Sequence, residues 1–357
     1  MKNFKNRTKI KNKFIDIFDK NNEKCYNIAE IGINHNGDIE IAKETIRAAK
    51  RAGADAIKMQ TYTPDTMTLD CNLEDFKVTG GTIWDGKYLH ELYQKASLPW
   101  EWHKELFSLA KSEDLICFST PFDISAVDFL EKLNCPIYKI ASFEINDIPL
   151  IEYVAKKQKP IIISTGIATF DDIKLAIETC RKVGNNDITI LKCTSSYPAP
   201  IDEANLVMMK EFAIDFNVKI GLSDHTLSNL VPIMSIAYGA KVIEKHFKLN
   251  DDVGGADASF SLNETQFKSL VDDIRSAESA IGLKSYNLSK KQISGKRFGR
   301  SIYISKNIKS GEKLSRENLK IVRPSLSLHP KYFYDILGKK VVKDFKKGSR
   351  ISLDDIV

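Results

Sequence analysis

The chain has 357 residues, of which 28% are charged and 43% hydrophobic, the balance of an ordinary globular protein. That length predicts one large domain and a small one. The formal net charge of +6 owes much to basic residues at the start of the chain: Lys2, Lys5, Arg7, Lys9, Lys11 and Lys13. No aromatic ladder accompanies this arm, no apolar run matches a membrane span, and residues 14–18 are too short for a secretory signal, so neither nucleic acid nor membrane is expected as a partner.

The six cysteines are scattered along the chain without C-x-x-C spacing. Most of them stand among apolar residues, as Cys117 and Cys193 do. Structural thiols of this kind are typical of a reducing compartment, and we therefore expect a cytoplasmic protein.

Strand-like runs alternate with helix-like segments along most of the chain. The strands are predicted at residues 28–33, 56–62, 116–121, 137–142, 160–166, 189–195, 219–225 and 242–247. Helices are predicted between them, for example at 39–52, 102–113 and 171–183. Eight such units in roughly 250 residues predict a (β/α)8 barrel of the TIM type. An open doubly wound sheet is the alternative, but the glycine-rich phosphate fingerprint of that fold is missing.

The rest of the chain predicts a second, smaller domain. After an eighth helix at 267–282, a polar segment leads into short strand-like runs separated by turns. The predicted organisation is a basic extension at 1–24, the barrel at 25–285, a linker at 286–297 and a mostly β domain at 298–357. A domain of that size is small for independent stability, so we expect it to dock against a barrel. Residues 63–100 are long for a βα connection and suit an ordered loop facing the substrate.

Two consecutive predicted strands end in histidine, at His225 and His246, with an apolar helix between them that is closed by Gly239. A parallel crossover brings both ends to the edge of the sheet where ligands bind. Two imidazoles there can share a divalent cation that keeps open positions, and mixed imidazole and oxygen ligation suits manganese, zinc or iron better than calcium. A lone histidine is more often a core residue, but two at equivalent positions favour a metal.

Polar side chains also end the other predicted strands, where a purely structural barrel would carry Val, Ile and Leu. Lys58 and Lys139 can bind phosphate or carboxylate oxygens, and Glu30 and Glu144 can carry protons or orient sugar hydroxyls. Neutral donors accompany them: Thr120, Ser142 and Ser164. A metal, a carbonyl electrophile and an anionic partner suggest carbon–carbon bond formation with an enol phosphate. An aldolase, an isomerase or a Schiff base on either lysine is equally admissible on these residues alone.

Eight motifs, in order, resemble those of the sialic acid synthase family, the N-acetylneuraminate synthase-like proteins. They lie at residues 29–37, 58–61, 118–122, 138–144, 164–166, 193–198, 221–225 and 243–247. Residues 301–308 and 318–324 resemble the antifreeze-like (SAF) domain that ends those proteins. The similarity therefore runs from about residue 27 to the end, and eight ordered motifs are far more specific than one alone.

The resemblance implies a (β/α)8 synthase that condenses phosphoenolpyruvate with an open-chain amino sugar and releases phosphate. It implies a divalent metal held by His225 and His246, namely manganese, with magnesium or cobalt as alternatives, and Glu30 near the metal and the reacting sugar. The residues implied to bind phosphoenolpyruvate are Lys58, Thr120, Lys139, Ser142, Ser164 and Ser223. Those implied to contact the sugar are Gln60, Glu144, Tyr197, Asp257 and Arg323. The family also implies a domain-swapped homodimer in which Arg323 reaches the partner's sugar site.

Within the family, residues 62–66, 74–76, 80–85, 99–102 and 257–262 resemble the branch whose sugar is a 2,4-diacetamido-2,4,6-trideoxy-altrose. Ser195 stands where N-acetylmannosamine-binding members have a sugar-facing asparagine, which fits a changed sugar. Phe76, Trp84 and Phe143 could form apolar walls around it. Branches that use N-acetylmannosamine or the legionaminic acid precursor are alternatives, and a carbohydrate-binding protein without catalysis is an alternative of another class.

Overall fold

The computed structural model describes residues 24–79, 84–253, 255 and 257–357. The chain divides into two compact units, Met1–Gly282 and Leu283–Val357. The basic arm up to residue 23 and residues 80–83 of the branch motif lie outside the described residues. What the sequence indicates for those two segments stays a prediction.

The first unit is built on a closed barrel of parallel strands that pair in sequence order, with the first strand beside the last. This confirms the predicted (β/α)8 fold. The strands are β1 (Tyr26–Glu30), β2 (Ala56–Thr61), β3 (Ile116–Pro121), β4 (Tyr138–Ile140), β5 (Ile161–Ser164), β6 (Ile188–Cys193), β7 (Lys219–Asp224) and β8 (Val242–His246).

Helices alternate with these strands. In the described part of the unit they are α1 (Ile39–Arg51), α2 (Pro64–Met67), α3 (Leu89–Ala96), α4 (Trp100–Ser112), α5 (Ile124–Lys132), α6 (Ile148–Ala155), α7 (Phe170–Lys182), α8 (Met208–Phe216), α9 (Leu230–Ala237) and α10 (Glu264–Ile281). Helix α1 illustrates why they form: the carboxylate of Asp38 caps its first turn, and its apolar face buries Ala42, Ile46 and Ala49. No helix in the described part of the chain is long and apolar enough to cross a membrane.

The strands bury apolar residues on both faces except near their carboxyl ends. Strand β5 shows the pattern, because Ile161, Ile162 and Ile163 are buried against the core and the strand then ends in Ser164. Such continuous apolar runs are expected when helices cover the outer face of a parallel sheet. Polar side chains are therefore concentrated at one end of the barrel.

Two predicted segments differ from the structure. The predicted strand at 137–142 is shorter, because β4 ends at Ile140 and Ser142–Glu144 forms a 3₁₀ helix. The connection at 63–100 is more than a loop, since it contains helices α2 and α3. It bridges β2 and α4 with ordered structure of its own.

The second unit has a small core of its own. It contains helix α11 (Lys290–Gly295), within the segment predicted as a linker, followed by strand β9 (Ser301–Ile304), strand β10 (Leu319–Val322) and helix α12 (Phe333–Ile336). The two strands pair antiparallel. Their apolar faces join a buried cluster that consists of Ile302, Ile304, Ile308, Leu314, Leu319, Ile336, Val341, Phe345 and Ile351.

Candidate active site

The carboxyl end of the barrel holds a dense group of buried polar side chains, with at least one from every strand. In strand order they are Glu30, Lys58, Thr120, Lys139, Ser164, Cys193, Ser223 and Glu244, each at most 4% exposed. Buried polar atoms normally have partners. Here the Oγ atom of Ser164, one carboxylate oxygen each of Glu144 and Glu244, and Nδ1 of His246 are buried without a hydrogen bond. Several unsatisfied polar groups at one end of the barrel indicate a site built for a polar ligand.

Four buried charges form the centre of this group. Lys58 pairs with Glu30, and its Nζ atom lies 3.4 Å from Oε1 of Glu244. The Nζ atom of Lys139 donates to the same Glu244 oxygen at 3.0 Å. The backbone N–H of Gly32 donates to Oε1 of Glu30 at 2.8 Å, which fixes that carboxylate. Two ammonium groups are thus held side by side by two carboxylates, in a place that water does not reach.

The ionisation of these groups follows from their neighbours. Burial alone would raise the pKa of Glu244, but the charges of Lys139 and Lys58 lower it to about 2. Burial opposes the charge of Lys58, yet Glu244 and Glu30 raise its pKa. The pKa of Lys139 is lowered, because burial and the charge of Lys58 outweigh the attraction of Glu244. A further negative charge beside Lys139 would therefore stabilise its ammonium form.

Neutral donors surround the two lysines. The Nζ atom of Lys58 donates to Oγ1 of Thr120 at 3.3 Å, and Nε2 of Gln60 donates to Oε1 of Glu30, also at 3.3 Å. The N–H of Gly166 donates to Oγ of Ser142 at 3.0 Å. Ser223 is the direct neighbour of Glu244 across β7 and β8. The sequence therefore predicts this set correctly as neighbours, although their binding role stays a prediction.

The two histidines lie next to each other, with ring centroids 5.4 Å apart. The Nδ1 atom of His225 lies 2.9 Å from the carbonyl oxygen of Thr194, and the ring packs on Tyr197 with centroids 4.4 Å apart. The Nδ1 atom of His246 lies 3.2 Å from Oδ2 of Asp257, without the geometry of a hydrogen bond. Tyr197 and Asp257, predicted to face the sugar, thus stand beside the histidines.

The donor set fits a divalent cation with two protein ligands. Among the described residues, no group of three or more His, Cys, Asp and Glu side chains is arranged to hold a metal. A cation between His225 and His246 would therefore keep positions for water or a substrate oxygen, which is the pattern of a catalytic rather than a structural site. Borderline metals accept such mixed nitrogen and oxygen ligation.

Glu144 stands apart from the ion pairs. Burial raises its pKa to about 7, and the positive charges of Lys139 and Lys58 only partly offset this. A carboxyl group with that pKa is partly protonated at neutral pH and can either donate or accept a hydrogen bond. Its position and its ionisation suit recognition of a substrate hydroxyl or amide.

Tyr62, the first residue of one branch motif, and Tyr93, which the sequence did not single out, also approach this region. Tyr62 is 3% exposed, and its ring lies 5.8 Å from that of Tyr93 on helix α3, centroid to centroid. Burial raises the pKa of both hydroxyls, and the charges of Asp257 and Glu144 add to the effect on Tyr62 and Tyr93 respectively. The insertion after β2 thus brings an aromatic side chain toward the site.

Glu244 and Cys193 are the other residues that sequence reasoning missed. Glu244 has the inward position of a site residue, but only the closed barrel shows that it contacts both lysines. The Sγ atom of Cys193 lies 3.9 Å from Nδ1 of His225, and although burial opposes it, contact with that imidazole lowers the pKa of the thiol to about 7. A strand position and an apolar context alone gave no sign of either contact.

The other predicted residues are Arg323, Phe143 and Trp84, and the role of Arg323 at a partner's sugar site stays a prediction. Arg323 follows β10 in the second unit. Phe143 is 55% exposed, so the structure gives it no enclosed wall to form. Trp84 lines a cavity of about 360 Å³ together with Ile33, Lys87 and Leu92.

A closed (β/α)8 barrel with two lysines, two histidines and paired carboxylates at its carboxyl end defines a barrel enzyme that handles an anionic substrate. The chain matches the model of the NeuB family over residues 45–286 and that of the SAF domain over residues 299–357. It belongs to the NeuB family.

Individual relatives agree with this assignment. The chain is 49% identical over 330 residues to a pseudaminic acid synthase of Helicobacter pylori, covering 92% of this chain and 97% of that protein. It is 34% identical to an N,N'-diacetyllegionaminic acid synthase of Legionella pneumophila, covering 93% and 94%. The crystal structure of the spore coat polysaccharide biosynthesis protein SpsE of Bacillus subtilis superposes with a TM-score of 0.63 at 33% identity, covering 94% and 95%.

Proposed function

We propose that this chain is a pseudaminic acid synthase, a carbon–carbon bond-forming transferase. It condenses phosphoenolpyruvate with 2,4-diacetamido-2,4,6-trideoxy-L-altrose and water, and releases pseudaminic acid and phosphate. The observation that carries the proposal is the 49% identity to a pseudaminic acid synthase over nearly the full length of both chains, against 34% for a synthase of the legionaminic branch. An N-acetylneuraminate or legionaminic acid synthase is the alternative.

In this proposal the two buried lysines bind phosphoenolpyruvate. Its phosphate and carboxylate carry charge that water otherwise solvates, and ammonium groups fixed in a dry cavity replace that solvation. Lys139 has the lowered pKa of a cation that lacks enough negative charge around it. Ser164 has a buried Oγ atom without a partner. Both features support an anion at this point, with Thr120, Ser142 and Ser223 as further donors.

In this proposal the sugar lies against Tyr197 and Asp257, on the side of the histidines away from the bound phosphoenolpyruvate. The same region is lined by Glu144 and by the hydrogen-bonded pair Glu30 and Gln60. The reaction joins C3 of phosphoenolpyruvate to the aldehyde carbon of the open sugar, water adds at C2, and phosphate leaves by cleavage of the C–O bond. These residues would hold the two reacting carbons in contact.

The proposed cofactor is Mn²⁺, held by His225 and His246, with Mg²⁺ or Co²⁺ as alternatives. When bound, such an ion supplies a Lewis acid that polarises a carbonyl oxygen. The protein contributes two imidazoles 5.4 Å apart, centroid to centroid, and leaves the remaining positions open. Asp257, beside Nδ1 of His246, helps to orient that ring.

The proposed assembly is a homodimer in which the C-terminal domain of one copy covers the barrel of the other and Arg323 reaches its sugar site. A rim of exposed apolar side chains supports a docking surface at the barrel end, because one follows each of four successive strands. These residues are Phe143, Ile167, Ile201 and Leu227, all at least 50% exposed. Apolar groups gathered in this way mark an interaction surface. Light scattering of the purified chain at micromolar concentration tests the assembly.

We also propose that the protein works in the cytoplasm. Its six cysteines are free, and five of them are buried. Unpaired thiols in a packed core are typical of proteins from reducing compartments.

The proposal is tested by incubating the purified chain with Mn²⁺, phosphoenolpyruvate and one sugar at a time, and measuring released phosphate. We expect phosphate with the diacetamido-trideoxy-altrose and much less with N-acetylmannosamine or the legionaminic acid precursor. Preference for another of these sugars would move the chain to that branch. Release of pyruvate without phosphate would indicate an aldolase, and sugar binding without turnover would indicate a binding protein.

A further inference from the structure

A buried ion pair joins the two strand ends that carry the candidate metal ligands. Asp224 and Lys245 are direct neighbours across β7 and β8. Each of them immediately precedes one of the two histidines, His225 and His246. Their side chains are 2% and 0% exposed, which makes this pair as deeply buried as the charged groups of the site itself.

The pair fixes the backbone on either side of His225. The ammonium group of Lys245 donates to the carboxylate of Asp224 and to the backbone carbonyl oxygen of Thr226. The carboxylate of Asp224 accepts from the backbone N–H of Thr226 at 3.1 Å and from its hydroxyl at 3.0 Å. The residues before and after His225 are therefore tied to each other and to the strand that ends in His246.

Neither side chain is on the inward face of the barrel wall. Side chains alternate along a strand, and the inward face of β7 and β8 is taken by Ser223, His225, Glu244 and His246. Asp224 and Lys245 consequently lie on the outer face of the barrel wall. They are not catalytic residues, and any effect on the reaction has to pass through the histidines.

A buried ion pair is a costly way to fill space, because both charges lose their hydration. Apolar side chains of similar volume would pack the same gap at no such cost. What the pair adds is direction, since its four hydrogen bonds have defined lengths and angles and connect two particular backbones. That property is useful where the spacing of two strand ends matters.

We propose that Asp224 and Lys245 are positioning residues that hold His225 and His246 at the separation at which both can bind one divalent cation. The inference rests on the metal site proposed above. In this proposal metal affinity depends partly on Asp224 and Lys245, which lie in the barrel wall outside the site.

The test compares metal binding by Lys245→Met, Asp224→Asn and the double variant with that of the full-length wild type. The dissociation constant for Mn²⁺ is measured from the electron paramagnetic resonance signal of free Mn²⁺. The visible absorption of the Co²⁺ form reports coordination geometry. Both are recorded well below the melting temperature of each variant, with the fold checked by circular dichroism. We expect at least about tenfold weaker Mn²⁺ binding and a changed Co²⁺ spectrum, the usual size of an outer-shell effect.

The double variant serves two purposes. It leaves no buried charge without a partner, so it carries the test if a single variant fails to fold. If the two residues act as one unit, it loses no more affinity for Mn²⁺ than the weaker-binding single variant. We expect that non-additive result.

Lys219→Met is the matched control. Lys219 is the first residue of the same strand β7, and its Nζ atom lies 2.9 Å from Oδ1 of Asp187 at the opposite end of the barrel. The same substitution there removes a strand-bridging ion pair far from the histidines. We expect a lower melting temperature with an unchanged dissociation constant for Mn²⁺.

Two results overturn the proposal, and they differ from each other. Variants of Asp224 and Lys245 that bind Mn²⁺ as tightly as the wild type, with an unchanged Co²⁺ spectrum, would leave the metal site intact and reduce the pair to a structural element. A wild-type chain that binds no Mn²⁺ would remove the metal site, and the positioning role with it.

Discussion

The Nδ1 atom of His225 lies 2.9 Å from the carbonyl oxygen of Thr194. A carbonyl oxygen only accepts hydrogen bonds, so the proton of the neutral ring sits on Nδ1 and the lone pair of Nε2 is available to a ligand. This contact selects the tautomer that a metal ligand needs. It also links the end of β6 to the end of β7, so the backbone of the neighbouring strand end determines the tautomer of His225.

His225→Ala should therefore abolish metal-dependent turnover while the barrel stays folded. Removing one of two protein ligands should weaken Mn²⁺ binding by more than about a hundredfold, beyond the range of outer-shell changes. Calorimetric titration with Mn²⁺ and the phosphate assay measure the two effects.

The control for that variant is His103→Ala. His103 is also a buried imidazole, but Nε2 of its ring bonds to Oγ1 of Thr61 at 2.8 Å, outside the cavity, and burial lowers its pKa to about 4. We expect this variant to melt earlier and still bind Mn²⁺. Wild-type activity and Mn²⁺ affinity in His225→Ala would refute its role as a ligand.

Lys139→Met should weaken the binding of phosphoenolpyruvate. A hydrogen bond to a charged group contributes about 1.5–3 kcal/mol, which corresponds to roughly ten- to a hundredfold in the KM for phosphoenolpyruvate. Lys192→Met is the control for the KM measurement. The Nζ atom of Lys192 donates to the backbone oxygen of Cys193 at 2.8 Å, so this lysine already has a partner within the protein. An equal KM in wild type and Lys139→Met, measured by phosphate release at saturating sugar, would remove Lys139 from the anion site.

The sequence predicted the fold and most of the cluster for the same physical reason. Strand runs of alternating or continuous apolar residues end in polar ones, and parallel strands bring those ends together whatever the connecting loops do. Strand order alone therefore predicts that Lys58, Lys139 and the two histidines lie at the same end of the barrel. Eight ordered motifs then identify the family.

Contacts across the closed barrel could not be predicted in the same way. Glu244 contacts Lys58 and Lys139, which lie on strands β2 and β4, and only the curvature of the barrel decides that. Helix α3 was missed because the residues directly before it are rich in glycine and aromatic side chains. The approach of Tyr93 to Tyr62 depends on how this helix folds back toward the barrel. Local patterns carry no information about either distance.

Gly166→Ala should impair the proposed anion site without unfolding the chain. A Cβ atom at this position would overlap Oγ of Ser195 and lie 2.9 Å from Oγ of Ser142, so the serines must move. Displacing such groups by a fraction of an ångström to an ångström costs roughly ten- to a hundredfold in catalytic efficiency. We expect that loss in kcat/KM for phosphoenolpyruvate. Gly295→Ala, where nothing lies within 4 Å, is the neutral control, and equal behaviour of the two variants would contradict the prediction.

Glu144→Gln should change how stability depends on pH. The pKa of Glu144 is raised by burial to about 7, from an ordinary value of 4.5. The folded state therefore holds this proton more tightly than the unfolded state, and its contribution to the free energy of unfolding is complete below about pH 4.5 and lost as pH rises through 7. At about 1.4 kcal/mol per pKa unit, the loss is of the order of 3 kcal/mol. Glutamine has no proton to lose. Urea unfolding at several pH values between about 5 and 8 should show wild-type stability falling relative to that of Glu144→Gln, and a constant difference between the two would mean that Glu144 is ionised throughout.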